Sequence, residues 1–194
     1  MIGPGEGRRA FTLIEILVVS AILVMLAGLL TPVFLRAKAA AGDSTCVSNL
    51  ASIGKAIALY AAANDDFAPI GSAGEGNSIS VKPLLAPYGL DVKNWRCPRD
   101  RWFMDVVEGH MVTDMTPNYD RFGSSYVYDG RSARLGRSMT FGMKPAETLL
   151  ASDRFAYHSD VSEPDGLFNV LYRDLHVKAT RWSKRDDIRW PDDR

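Results

Sequence analysis

The stretch RRAFTLIEILVVSAILVMLAGLLTPVFLR, residues 8–36, decides how this chain is read. Residues 16–35 carry no charge, and Arg36 closes the run. A helix rises about 1.5 Å per residue, so a run of this length spans roughly 30 Å, the thickness of a bilayer hydrocarbon core. The core helix of a soluble protein keeps a polar face, and this segment has none. The competing reading is a secretory signal peptide, which has a shorter apolar region and a small-residue cleavage site. AKAAAG at 37–42 imitates such a site, but the apolar run is long and Arg36-Ala37-Lys38 follows it. Arg8 and Arg9 precede the run, so the positive-inside rule keeps the N-terminus cytoplasmic and the bulk of the chain on the other side.

Glu15 stands at the membrane boundary, four residues after Phe11. A carboxylate entering a bilayer is costly and marks a functional position. It needs a cationic partner or a proton, or it snorkels to the interface.

Outside this segment the chain is ordinary. Of 194 residues, 46% are hydrophobic and 24% charged, which fits a globular head rather than a disordered chain. The mean hydropathy of −0.09 is an average over a greasy N-terminus and a polar remainder. Lys and Arg number 23 and Asp and Glu 23, so no basic excess points to nucleic acid. Two cysteines cannot alone fill a four-ligand zinc site or staple a disulfide scaffold. His110, His158 and His176 show no H-E-x-x-H spacing, and no G-x-S-x-G occurs, so nothing assembles a catalytic set. A pocket gathering His158, His176 and the acidic residues nearby would argue for an enzyme.

The segment RRAFTLIEILVV resembles the N-terminus of type IV prepilins and type II secretion pseudopilins. The likeness covers the basic leader Met1–Ala10, the junction, Phe11, Glu15, the apolar stretch and Pro32, where many such proteins carry a helix-bending proline. Ala10 stands where the family usually has Gly. The resemblance implies that a prepilin peptidase cuts between Ala10 and Phe11 and methylates the new Phe11 amine. That amine supplies the cation Glu15 lacks, and in a filament it pairs with Glu15 of a neighbouring subunit. It further implies the fold class: α+β and pilin-like, with a long N-terminal helix packed on a small antiparallel β-sheet. The implied role is a structural subunit, major or minor, of a type II secretion pseudopilus or type IV pilus. Its partners are the peptidase, like or related pilin subunits, an inner-membrane assembly platform and membrane lipid, with no nucleic acid. The implied location is the inner membrane, single-pass, and then the filament. A membrane-anchored periplasmic or surface module that binds a ligand and does not polymerise in bulk is the rival reading.

Cys46, Leu50, Ile53, Ile57 and Tyr60 recur at helical spacing, which predicts one amphipathic helix from about 12 to 63, ending at Asn64-Asp65-Asp66. Gly28, Gly42 and Gly54 are its weak points, each costing about 1 kcal/mol relative to Ala. The segment from Cys46 to Pro69 also resembles a variant group with C-x-x-N-L-x-x-I-x-x-A-x-x-x-Y. That group carries a Cys-Pro-x-Asp box, here Cys97, Pro98 and Asp100, and an Asp-Gly-His-Val-Lys hairpin, here Asp174 to Lys178 with Leu175 in place of Gly. Leu cannot take a positive φ cheaply, so a different turn type is expected. A short helix is expected within 81–90, and strands at 124–130, 137–141, 147–153, 166–172 and 176–182. The domain plan is leader 1–10, membrane and filament-core helix 11–35, amphipathic continuation 36–64, α+β head 65–182 and charged tail 183–194.

Cys46 lies on the inward stripe, and Cys97 precedes a proline in a loop expected to cross it. Both fall in the oxidising compartment, so a Cys46–Cys97 bridge and two buried free thiols are the two readings. Asp160, Glu163 and Asp165 form a small acidic loop. Calcium favours clustered oxygens, and some major pseudopilins bind it in a C-terminal loop, but a solvated acidic turn is the commoner reading. No cofactor is otherwise implied.

Overall fold

The computed structural model describes residues 12–71, 73, 80–100, 103–107, 110–114, 116–128, 144–154, 158, 165–181 and 183–184. The expected strand at 137–141 and the tail beyond 184 lie outside them.

Helix α1 runs from Leu13 to Ala62 and continues through Pro32. It contributes to two units, residues 1–40 and 41–194. The division falls inside the stretch expected as an amphipathic continuation. In the first unit every described large apolar side chain from Leu13 to Leu35 is at least half exposed. In the second, the predicted stripe is the core: Cys46, Leu50, Ile53 and Ile57 are fully buried. Each fully buried Leu or Ile contributes about 1.5–3 kcal/mol. Tyr60, at the end of the stripe, is half-buried and meets the Tyr88 ring edge-on at 5.9 Å.

The helix ends where Asp65 and Asp66 both turn left-handed, at φ 52° and 66°. The Asn64 side chain donates to the Tyr60 carbonyl, and the Asp66 amide to that of Ala61, so the last carbonyls are satisfied. Tyr128 Oη donates to the Pro69 carbonyl at 2.8 Å and ties the following loop to the sheet.

The head then builds short α2 (Lys82–Leu85), with Pro83 in its first turn, and a 3₁₀ turn at Ala86–Tyr88. Strands β1 (Phe103–Val107) and β2 (His110–Asp114) pair antiparallel. This hairpin was not expected from the sequence. Its signal was present: two runs of β-formers joined by Glu108-Gly109. Helix α3 (Asn118–Phe122) follows. Strands β3 (Tyr126–Tyr128), β4 (Leu149–Asp153), β5 (Leu167–Tyr172) and β6 (Val177–Arg181) form an antiparallel meander in chain order. The chain is α+β and pilin-like, as the sequence predicts.

Strand β5 is buried on both faces, with side chains alternating as the pleat requires. Leu171 joins the helix-side core with Tyr126, Tyr128 and Leu150, while Phe168, Val170 and Tyr172 join Leu149 in a second cluster. Gly54 lets α1 approach β5: a Cβ there would sit 3.0 Å from a Leu171 methyl. Its helix-weakening cost is thus exchanged for close packing.

The β5–β6 turn departs from expectation. Leu175 adopts φ 72°, the left-handed conformation expected to be avoided. Its amide donates to the Tyr172 carbonyl, and its side chain packs against the core beside Gly54. Apolar burial offsets the backbone cost, which is about 1–2 kcal/mol for a residue with a Cβ.

Candidate functional site

Three features carry chemistry: the start of α1, the disulfide with its neighbours, and the Cys-Pro-x-Asp turn. Thr12 caps α1. The Thr12 amide and hydroxyl both donate to Glu15 Oε2 at 2.8 Å, and the Glu15 amide donates to Thr12 Oγ1 at 3.3 Å. This is a reciprocal capping box, in which each side chain satisfies the other residue's backbone donor. Glu15 therefore has a local partner that the sequence reading overlooked, although Thr-x-x-Glu before an apolar run is its signature. Ala10 and Phe11 lie outside the described residues. Pro32 sits within the exposed half, where the Thr31 hydroxyl donates to the Ala27 carbonyl.

Cys46 and Cys97 form a disulfide, with Cα atoms 5.1 Å apart. Around it lies a polar cluster whose partners sequence spacing did not reveal. His158 Nδ1 is 2.7 Å from Asp43 Oδ1, and Nε2 is 2.9 Å from Asp153 Oδ2 and 3.9 Å from Cys97 Sγ. Asn169 donates to Asp153 Oδ2 through its amide and side chain, at 2.6 and 3.0 Å. Arg99 Nε lies 3.0 Å from Asp43 Oδ1. Burial of the imidazole opposes its charge, but Asp153 and then Asp43 outweigh that and hold the His158 pKa above its ordinary value. Burial pushes the Asp153 carboxyl up, against the hydrogen bonds that favour its charged form. These groups come from α1, β4, β5 and two loops, so only the fold assembles them.

Asp100 is the anchor of the Cys-Pro-x-Asp turn. Its Oδ1 accepts from the Asn118 amide and side chain, and its Oδ2 from the Tyr119 amide and the Ser125 hydroxyl. The buried carboxylate thus caps α3 from another segment and fixes the loop that carries Cys97, whose amide donates to Ser125 Oγ.

The remaining candidates do not converge. His176 pairs with Asp174 and stacks on Tyr172 at 4.3 Å, away from the partners of His158. Asp165 accepts from the Ser183 amide and hydroxyl at 2.6 and 2.9 Å, which holds its carboxyl below the ordinary range. Asp160 and Glu163 lie outside the described residues. A surface cleft of about 550 Å³ is lined by Thr45, Asn49, Lys93, Asn94, Arg96 and Pro98 and includes neither histidine.

A long helix with an exposed apolar start, joined to a head with a four-stranded antiparallel meander, defines a pilin-like protein. Residues 7–31 match the model of the prokaryotic N-terminal methylation motif. Over 104 residues the chain is 30% identical to the type II secretion system core protein G of Escherichia coli (strain K12), covering 53% of this chain and 72% of that protein. It is 33% identical over 106 residues to the type II secretion system core protein G of Pectobacterium carotovorum subsp. carotovorum, covering 52% and 66%. The chain belongs to the family of these core proteins, the pseudopilins. No solved structure matches it significantly.

Proposed function

We propose that this protein is a filament subunit of a type II secretion pseudopilus or a type IV pilus, anchored in the inner membrane before assembly. A prepilin peptidase removes the first ten residues, and the Phe11 amine is methylated. The N-terminus stays cytoplasmic and the head lies across the membrane. A platform protein then delivers the subunit to related subunits, whose apolar helices replace lipid around residues 11–35. The observation that carries this reading is the match of residues 7–31 to the methylation motif, placed at the start of a helix long and apolar enough to cross a membrane.

The capping box sharpens the test at Glu15. Glu15→Gln keeps a side-chain acceptor for the Thr12 amide but removes the charge. If the carboxylate draws in a neighbour's amine, Glu15→Gln and Glu15→Leu both insert, are both cut, and both lose sheared filaments. If it only starts the helix, Glu15→Gln assembles normally. Intact mass of membrane-extracted wild type should show the loss of Met1–Ala10 and the gain of one methyl. A mature N-terminus near Ala40 would refute the proposal.

A further inference from the structure

The Cys46–Cys97 bond lies in a surrounding suited to more than a covalent staple. His158 approaches it closely, and the ligand atoms of Cys46, Cys97 and His158 all fall within 4.8 Å of one another. We propose that the head, when this disulfide is reduced, binds one zinc-class divalent ion through Cys46 Sγ, Cys97 Sγ, His158 Nε2 and a carboxylate oxygen of Asp153.

Geometry favours the two sulfurs and the imidazole, and Asp153, outside that close group, reaches the ion from beside His158. In a tetrahedral site with Zn–S of about 2.3 Å and Zn–N of about 2.0–2.1 Å, neighbouring sulfur and nitrogen ligands stand about 3.6 Å apart. His158 Nε2 is already 3.9 Å from Cys97 Sγ. The two sulfurs separate to roughly 3.8 Å by side-chain rotation, because their Cα atoms stay 5.1 Å apart. Asp153 Oδ2 lies 2.9 Å from the same imidazole nitrogen, so a small outward shift admits an ion between them.

The second layer is also in place. Asp43 Oδ1 meets His158 Nδ1 at 2.7 Å, the carboxylate–histidine arrangement that orients a metal-binding imidazole. Nε2 lies 2.9 Å from both Asp153 Oδ2 and Asn169 Nδ2, and an ion bound there would replace the Asn169 contact. Asn169 holds Asp153 Oδ2 with two hydrogen bonds. Asp153 Oδ1 is buried without a hydrogen-bond partner among the described residues, which leaves a carboxylate oxygen that a cation would satisfy. Two thiolates and an imidazole select zinc or cobalt over calcium or magnesium.

The chemistry balances with a phosphine reductant. Phosphorus attacks one sulfur and the S–S pair leaves on the other. Water then converts the phosphorus to phosphine oxide and leaves two thiols. Metal binding forms two metal–sulfur bonds and releases both thiol protons to the buffer.

The test uses the full chain in detergent micelles, oxidised or phosphine-reduced, titrated with Co²⁺ and then Zn²⁺. Reduced wild type should take one equivalent of cobalt, with a thiolate-to-cobalt charge-transfer band and the intense visible bands of a tetrahedral centre. Zinc should displace it, and the oxidised chain should show neither band. His158→Gln should bind cobalt about tenfold more weakly or worse, with shifted visible bands. Cys46→Ala should roughly halve the charge-transfer intensity, and it serves if His158→Gln does not fold. The proposal fails if reduced wild type, still folded by circular dichroism, shows no thiolate band. It also fails if His158→Gln, or Cys46→Ala in its place, matches the wild-type affinity and spectrum.

Discussion

The two halves of α1 share one backbone and opposite surroundings. Leu13, Val24 and Met25 expose 83%, 73% and 69% of their surface, whereas Leu50, Ile53 and Ile57 expose none. The first half is apolar on every side, so no rotation of the helix can hide it within its own chain. The second half places its apolar groups on one face, and a sheet covers that face. The difference shows that a uniformly greasy segment must find lipid or other subunits, while a striped one finds its own head.

The largest effect should come from the bond that ties the striped half to the Cys97 loop. Cys46 and Cys97 are 51 residues apart, and in the chain-entropy model such a loop is worth about 4 kcal/mol. Cys46→Ala/Cys97→Ala should lower the head's unfolding free energy in urea by about that amount, and leave membrane insertion unchanged. A wild-type midpoint in the double variant would mean that the bridge does not constrain the unfolded chain.

Next, Leu50→Ala should destabilise the head by about 3 kcal/mol through a core cavity. Leu23→Ala, on the exposed half, should move the same transition by less than about 0.5 kcal/mol. Equal effects in denaturant unfolding would erase the distinction between the halves.

A smaller effect should appear with pH. The folded head raises the His158 pKa above its ordinary value of 6.5. Its contribution is therefore full below that value and is lost as pH rises through the folded pKa. The oxidised head should lose stability above about pH 6.5, with a slope of at most about 1.4 kcal/mol per pH unit for each proton. His158→Gln should flatten the slope in urea melts run across the range. An unchanged slope would mean that His158 does not bind its proton more tightly when folded.

The smallest effect lies at the turn. Leu175→Ala should cost about 1–2 kcal/mol, because packing is lost while the left-handed strain stays. Leu175→Gly should recover about 1 kcal/mol of that, since glycine adopts φ 72° without strain. A glycine variant less stable than the alanine variant would show that strain is not stored there.

The sequence alone determined the apolar run, the stripe from Cys46 to Tyr60, the helix end at Asn64 and the strands around 126–128, 149–153, 167–172 and 177–181. These are local signals of period, propensity and turn chemistry, readable within a dozen residues. Thr12 with Glu15 is equally local, a Thr-x-x-Glu capping box within four residues. Only the tertiary structure decided that Asp43, Asp153, Asn169 and His158 meet beside Cys97, or that Asp100 caps α3. Their separations in sequence run from 5 to 115 residues, and a polar side chain carries no mark of which partner will satisfy it. The same holds for Leu175. Its left-handed turn conflicts with its own preference and persists because the core beside Gly54 takes its side chain, and that core exists only once α1 and β5 have come together.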